Sequence, residues 1–584
     1  MAPVTTAPTP DDTDAAEHPD DAAPVPTSVA TEAGVAPGFD PVDVSVPDVD
    51  ATPPAESTEQ RLLRDLLGER ALRLGLSAQD RMWGWLGPLL VTVLAAALRL
   101  WDLGRPHTLV FDETYYVKQG YTLLQVGYDA AWPDEPNASF EAGNRDIFLD
   151  RADYVVHPPV GKWMIALGLR LGGPDNTWAW RLATAVVGIL AVWIVARVGR
   201  RLFSSTLAGV VAGGLFAIDG VGIVHARTGL LDSFVMFWAL VGFAFVVLDR
   251  FDSRRRLARR AAELIDAGKD LGRWGPSLGI RWYRLAAAVA LGLSIGTKWS
   301  GAYFLAVLCV IVVLWDASAR RTVGVTGWAN GALWKDAVPA AVTMVPLAGL
   351  TYLASWTGWF LNQGSYKRTW AADHPGEGIQ WLPDSLRSFV EYHVQMWDFH
   401  TGLTTPHTYQ SNPWGWLLQL RPTSFYYRSV DRGGELPDGL GTCAYEKCSV
   451  AITSLGNPLV WWLGTAALVL AVVWVVWRKD WRGVAVLSGV VAGWMPWLLY
   501  SHRTIFTFYT IAFAPWVYLA LGYAVVLALE HTEGDRRRRR VVRNVLLGVG
   551  AAIVLVSVFF YPIWTAKVVP FEFWQWHMWL KSWI

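Results

Sequence analysis

Long apolar runs separated by short arginine-rich loops set the pattern of this chain. GWLGPLLVTVLAAALRLW (84–101), LAGVVAGGLFAIDGVGIV (207–224), SFVMFWALVGFAFVVL (233–248) and VLLGVGAAIVLVSVFFYPIW (545–564) stand out. Each comes close to the roughly 20 residues that cross a bilayer as a helix. Basic residues cluster at Arg197, Arg200 and Arg201, from Arg250 to Arg260, at Arg320 and Arg321, around Arg478, Lys479 and Arg482, and from Arg536 to Arg540. If all of these lie in the cytoplasm, the chain threads about eleven times, with its N-terminus inside and its C-terminus outside. The predicted spans are 83–101, 177–197, 205–223, 230–249, 282–298, 300–315, 337–358, 457–477, 484–500, 504–529 and 543–564. The two spans flanking Lys298 are also compatible with one bent helix. The pattern predicts an all-α polytopic membrane protein.

Two large segments, 102–178 and 359–454, fall on the extracytoplasmic face in this threading. Their aromatic content predicts amphipathic helices lying along the membrane surface. The basic segment 250–282 reads as a topology determinant and a contact for anionic lipid, rather than as a catalytic element. Upstream, residues 1–59 are rich in Pro, Ala, Thr and Asp and read as a disordered acidic tail. The tail lacks the pattern of a cleavable signal peptide, so the first span reads as an uncleaved anchor. Between tail and first span, 60–81 carries apolar residues at helical spacing among arginines and predicts an interfacial amphipathic helix. The remainder, 82–584, forms the membrane domain.

Composition agrees with this picture. Hydrophobic residues make up 53% and charged residues 17% of the chain, against about 25% charged in soluble domains. The formal net charge is zero, so no global field points to nucleic acid. Three cysteines exclude a disulfide scaffold. Cys309 falls in an apolar run, whereas Cys443 and Cys448 are compatible with one bridge or with two separate thiols.

One polar feature stands against the apolar pattern. Just beyond the first span, FDETYY places Asp112 and Glu113 among Phe111, Tyr115 and Tyr116. Adjacent carboxylates serve as a general base, hold a divalent cation, or simply face water. The aromatic, interfacial setting favours a functional use. Candidate partners recur at the same membrane level: His157 and Lys162 in HPPVGKW, Arg181, Arg227 and Asp232 in RTGLLDSFVMF, Lys298 in SIGTKWSGAYF, and Arg503 in SHRTIF. Cations gathered at one level suit an anionic lipid headgroup, because Arg and Lys recognise phosphate by charge-assisted hydrogen bonds.

The succession LRLWDLGRPHTLVFDETYY, HPPVGKW, RTGLLDSFVMF and GLSIGTKWSGAYF resembles the protein O-mannosyltransferases, in particular the actinobacterial branch, within the GT-C class of polytopic glycosyltransferases. The resemblance runs from about Met82 to the C-terminal WQWHMWLKSWI and includes no MIR domain. It implies transfer of mannose, with inversion, from polyprenyl-phosphate mannose to a Ser or Thr hydroxyl of a translocated polypeptide. It further implies Asp112 as general base and Glu113 as a residue that orients the acceptor or tunes its neighbour Asp112. Arg181 and Lys298 match the donor-phosphate residues best, and Arg227, His157 and Arg503 match less closely. Tyr116, Lys162 and Asp232 are expected to support them. The leaving phosphate is already a stable anion, so no cofactor is required. A divalent metal is an option of related enzymes and is not predicted here. A protein translocation channel is a further partner the family implies. FTFYTIAF (506–513) departs from the eukaryotic pattern, since Tyr509 is followed by Thr510 and not histidine. Two other readings share parts of this pattern: a GT-C enzyme that moves a sugar onto a glycan or lipid, and a lipid-linked-sugar transporter. The second fits less well, because no internal repeat is visible and the charges sit at one face rather than at mid-depth.

Overall fold

The computed structural model describes residues 56–584. The predicted tail, apart from its last few residues, lies outside the described residues. Along the chain, α1 (Thr58–Leu67) precedes α2 (Ala78–Leu100), and the first loop folds α3 (Glu113–Val126) and α4 (Val160–Gly172). Next come α5 (Thr177–Phe203), α6 (Thr206–Ile218), α7 (Gly220–Ala226), α8 (Asp232–Asp266), α9 (Trp282–Ile295), α10 (Gly301–Thr322) and α11 (Trp328–Ser355). The second large loop contributes α12 (Asp384–Gly402) and the strands β1 (Thr423–Asp431) and β2 (Lys447–Ser454). The chain closes with α13 (Pro458–Arg478), α14 (Trp481–Gly493), α15 (Ala514–Glu530), α16 (Arg536–Trp564) and β3 (Val568–Pro570).

Among the described residues, seven helices are long and apolar enough to cross a membrane: α2, α5, α8, α10, α11, α13 and α16. The pair α6–α7, bent by 60°, makes an eighth if counted as one span. The shorter apolar helices α9, α14 and α15 occupy positions where the hydropathy pattern predicted three further spans.

The bend between α6 and α7 has an identifiable cause. The Asp219 carboxylate caps α7 through Val221 N (3.1 Å) and accepts from Asn457 N (2.7 Å), the Tyr518 hydroxyl (2.8 Å) and Trp461 Nε1 (3.3 Å). These donors satisfy a buried acid at a point where the helical ladder is broken. The α9–α10 junction is likewise a real break, with Lys298 and Trp299 in the connection. Gly296 there lies against the start of α4: Val160 N donates to the Gly296 carbonyl (2.9 Å), and a Cβ on Gly296 would come within 2.8 Å of Val160. HPPVGKW and GTKW are thus two sides of one contact, and Val160 N–H, one of the donors a helix start leaves unpaired, finds its partner across it.

Three expectations change. First, α1 begins at Ser57, which forms a reciprocal capping box with Gln60, and it buries Leu62, Leu66 and Leu67 in the protein core. Its apolar face is satisfied by protein, where a lipid contact was expected. Second, the helical membrane fold stands as expected and carries one small sheet in addition. β1, β2 and β3 form an antiparallel sheet, and a Cys443–Cys448 disulfide, Cα–Cα 5.8 Å, joins the β1–β2 connection to β2. The strands form because TSFYYRSV and KCSVAITS are dense in aromatic and β-branched residues. Third, part of the basic segment is interior. Asp249, Arg281, Arg284, Asp316, Arg320 and Asp336 form a buried network, with Arg281 Nε 2.9 Å from Asp249 and Arg320 Nε 2.6 Å from Asp336. Arg254 donates to the Trp315 carbonyl (2.9 Å), and Arg250 packs over the Trp481 ring. These arginines hold α8, α9, α10 and α11 together, while Arg255 and Arg259 remain exposed.

Candidate active site

Asp112 and Glu113, adjacent in sequence, face different surroundings. Glu113 starts α3 with its side chain turned inward and 0% exposed. It accepts Val110 N (3.0 Å) and Gly229 N (2.7 Å), and forms two bonds with Arg181, from Nε (2.8 Å) and Nη2 (2.9 Å). Arg181, also 0% exposed, spends its remaining donors on the carbonyls of Leu103 (3.3 Å), Pro106 (2.9 Å) and Thr108 (3.0 Å). A guanidinium has five N–H donors, and all five are used here. None is left for a phosphate, so the expected donor contact of Arg181 is corrected to a structural one. Glu113 is likewise the counterion of Arg181 rather than an acid free to orient the acceptor; tuning of its neighbour Asp112, the other role expected of it, does not conflict with this pairing. Arg227 fares alike: its Nη1 donates to the carbonyls of Arg99 (3.0 Å) and Trp101 (2.6 Å) and its Nη2 to that of Asp102 (2.6 Å). It closes the carbonyl end of α2, the position where a helix gains most from a cation.

Asp112 takes the other direction. It occupies the N-cap of α3 without capping it and is half-buried beside Tyr116, Lys298 and Asp232. Phe111, immediately before it, holds a left-handed backbone with φ 49°. A bulky side chain rarely adopts that conformation, and the surroundings enforce it. The Phe111 ring stacks on Phe425 of β1 at 4.6 Å and meets Phe508 edge-on at 5.3 Å. The hairpin that periodicity did not anticipate therefore braces the turn that aims Asp112. Burial pushes the Asp112 carboxyl up to about 6; Lys298 opposes that shift and Asp232 adds to it.

Lys298 Nζ lies 2.7 Å from Asp232 Oδ2, within reach of the Tyr116 ring (6.0 Å) and the Tyr509 ring (5.6 Å). The expectation that Asp232 orients a cation matches this geometry. His157 stacks on His400 of α12 at 5.2 Å, and its Nδ1 is buried without a protein partner among the described residues. Burial, followed by the charge on Lys298, lowers the His157 pKa well below the usual imidazole range, so it is neutral at pH 7. Arg503 reaches His400 Nδ1 at 3.4 Å, and its Nε is also buried and unpartnered among the described residues. Lys162 is displaced from this group, its Nζ paired with Asp129 at 2.8 Å.

The structure thus brings Asp112, Tyr116, His157, Asp232, Lys298 and Arg503 into one neighbourhood and leaves Arg181, Arg227, Glu113 and Lys162 with structural partners. Sequence reasoning missed His400 and Trp299, whose rings lie 5.7 Å apart beside the cations. Their only signal was an aromatic-rich helix, HVQMWDFH, in which His393 and His400 recur two turns apart. The arrangement suits substitution at a phosphate-activated carbon: one carboxylate not taken up by an ion pair, cations beside it, and a guanidinium N–H, Arg503 Nε, with no partner among the described residues.

This is the architecture of a polytopic glycosyltransferase of the GT-C class. The fold matches the structure of the S. cerevisiae protein O-mannosyltransferase Pmt1-Pmt2 complex bound to the sugar donor, with TM-score 0.61 and 15% identity over 88% of this chain and 94% of that one. A family model described as dolichyl-phosphate-mannose-protein mannosyltransferase matches residues 156–256, and one described as the C-terminal four TMM region of protein-O-mannosyltransferase matches 385–583. The polyprenol-phosphate-mannose–protein mannosyltransferase of Mycobacterium tuberculosis is 33% identical over 86% of this chain and 92% of its own length. That of Mycolicibacterium smegmatis is 34% identical over 86% of this chain and 94% of its own. The chain belongs to the polyprenol-phosphate-mannose–protein mannosyltransferase family.

Proposed function

We propose that this protein transfers mannose from polyprenyl-phosphate mannose to Ser or Thr hydroxyls of polypeptides, with Asp112 as general base. The observation that carries the reading is the split between the two acids: Glu113 is consumed by four donors, while Asp112 stands beside Lys298 and is not consumed. The acceptor hydroxyl gives its proton to the Asp112 carboxylate as its oxygen bonds to the anomeric carbon. The bond from that carbon to the phosphate oxygen breaks on the opposite face, inverting the centre, and the electron pair leaves with polyprenyl phosphate. Lys298 and Arg503 stabilise the charge that gathers there. Asp232 holds Lys298 in place, and neutral His157 offers one further contact to the phosphate. No step is assigned to a metal, and chelation with EDTA is expected to leave transfer intact.

We assign this site to the extracytoplasmic face of the plasma membrane, with the N-terminus in the cytoplasm. The Arg-rich ends of α5, α10 and α13 and the start of α16 support this, since each belongs to a helix whose other end lies toward the Asp112 side. The disulfide on that side supports it as well. We also propose a protein translocation channel as a neighbour, a partner that rests on the family resemblance and that site-specific crosslinking tests.

The decisive experiment is transfer to a Thr-rich peptide by purified protein supplied with polyprenyl-phosphate mannose. Asp112→Asn is expected to lower kcat/KM by about 10²–10⁴ with normal membrane insertion. Near-normal transfer by that variant removes Asp112 from the role. Sugar found only on a glycan or lipid assigns a different acceptor class.

A further inference from the structure

Two segments far apart in sequence are strapped together beside Lys298. Thr504 N donates to the Leu403 carbonyl (3.2 Å), the Thr504 hydroxyl to the Thr405 carbonyl (2.5 Å), and Ser411 N to the Ile505 carbonyl (2.9 Å). These bonds hold Arg503 against the last turn of α12, where His400 sits. His400 Nε2 lies 2.7 Å from the Val156 carbonyl, which has only lone pairs to offer, so Nε2 carries the proton. In a neutral ring the other nitrogen is then an acceptor, and Nδ1 faces Arg503 Nη2 at 3.4 Å. Burial keeps the ring neutral, its pKa pushed down to about 4. Stacking on His157 (5.2 Å) and packing against Trp299 (5.7 Å) fix the ring plane. Among the described residues, Arg503 Nε has no protein partner.

We propose that His400 is a positioning residue: its neutral Nδ1 accepts a hydrogen bond from Arg503 and turns the unpartnered edge of the guanidinium toward the Lys298–Asp112 recess, to meet the donor phosphate. This rests on the reading of Arg503 as a phosphate ligand. A ring that only fills space between α4 and α12 needs no particular tautomer. A ring that aims Arg503 needs the acceptor at Nδ1, and that difference is testable with isosteres. Asparagine places its carbonyl oxygen near the position of Nδ1. Glutamine places its amide near Nε2 and keeps the Val156 bond while losing the acceptor.

The experiment measures donor KM and kcat for His400→Asn, His400→Gln, Arg503→Ala and the double variant His400→Gln/Arg503→Ala, with unfolding midpoints in detergent recorded alongside. Loss of one charge-assisted hydrogen bond corresponds to about a tenfold change. His400→Gln is expected to raise donor KM about tenfold, with the effect larger on donor KM than on kcat. His400→Asn is expected to stay within about threefold of the parent, and His400→Gln to add less than about twofold in the Arg503→Ala background, as coupled neighbours do. Equal losses in the Asn and Gln variants, or a full effect of His400→Gln without Arg503, overturn the proposal. If Arg503→Ala itself leaves donor KM unchanged, the phosphate reading of Arg503 fails, and the positioning role with it. If His400→Gln does not accumulate, His400→Leu replaces it, since it too lacks the acceptor.

Discussion

Arg181→Ala separates a structural cation from a phosphate ligand. In the folded protein this guanidinium makes five hydrogen bonds, two to Glu113 and three to carbonyls of the first loop, and is 0% exposed. Truncation leaves Glu113 buried as a lone carboxylate, although Val110 N and Gly229 N still donate to it. Breaking a buried ion pair by removing one partner costs about 3–5 kcal/mol. The two remaining backbone donors argue for the lower part of that range. The carbonyls of Leu103, Pro106 and Thr108, left without a donor at roughly 1 kcal/mol each, argue for the upper part. A loss of about 4 kcal/mol changes the folded-to-unfolded ratio by roughly a thousandfold. Denaturant or thermal unfolding of the purified protein in detergent reads this directly, with donor KM measured on the folded fraction. Replacing both partners with apolar residues of similar volume, Glu113→Met/Arg181→Met, is expected to recover more stability than either single change. An Arg181→Ala protein with an unchanged unfolding midpoint and a donor KM raised tenfold or more refutes the assignment and returns Arg181 to the phosphate site.

Two further outcomes follow from the same geometry. Burial pushes the Asp112 carboxyl up to about 6; if it is the base, as proposed, kcat/KM is expected to fall as pH drops through about 6, close to tenfold per pH unit below it. Asp232→Asn removes a charge that raises this pKa, so the acid limb moves to lower pH; an unmoved limb assigns the titration to another group. On alkylation after denaturation without reductant, only Cys309 is expected to react, with Cys443 and Cys448 becoming reactive once reduced.

Much of the membrane part could be read from periodicity, since apolar runs of bilayer length admit few other structures. That the acid at 112 and the cations at 298 and 503 share one neighbourhood was legible too, because charges beside apolar spans need a partner. What could not be read was which charges the protein itself consumes. Arg181 and Lys298 look alike as single basic residues at the ends of apolar runs. Only the path of 103–108, whose carbonyls converge on one guanidinium, and the opposite rotation of two neighbouring acids tell them apart. The same holds for Arg250 and Arg254, whose interior partners come from helices more than sixty residues downstream. The hairpin was missed because its alternating residues lie in an aromatic-rich loop whose turns drew attention first. His400 was missed because its partners, Val156 and Arg503, lie over a hundred residues away on either side.

If Lys298 serves the leaving group, as proposed, the charge balance of the recess sets what it has to do. With Asp112, Asp232, Lys298 and Arg503 all ionised, the protein groups sum to zero. A phosphodiester donor adds one negative charge. On transfer Asp112 becomes neutral, while the departing monoester approaches about two negative charges. The recess gains no net charge; one unit moves from the carboxylate to the phosphate. Binding of the diester and stabilisation of the monoester are therefore distinct demands, and a cation beside the phosphate serves the second more than the first. Removing Lys298 should accordingly depress kcat more than it raises donor KM. The comparison is made between Asp232→Asn and Asp232→Asn/Lys298→Met, so that no lone buried carboxylate confuses the result. A loss about tenfold or greater in kcat with donor KM changed less than threefold fits a charge that develops in the transition state. The reverse pattern, a raised KM with kcat preserved, means that Lys298 holds substrate and transition state alike, and the charge-transfer argument fails.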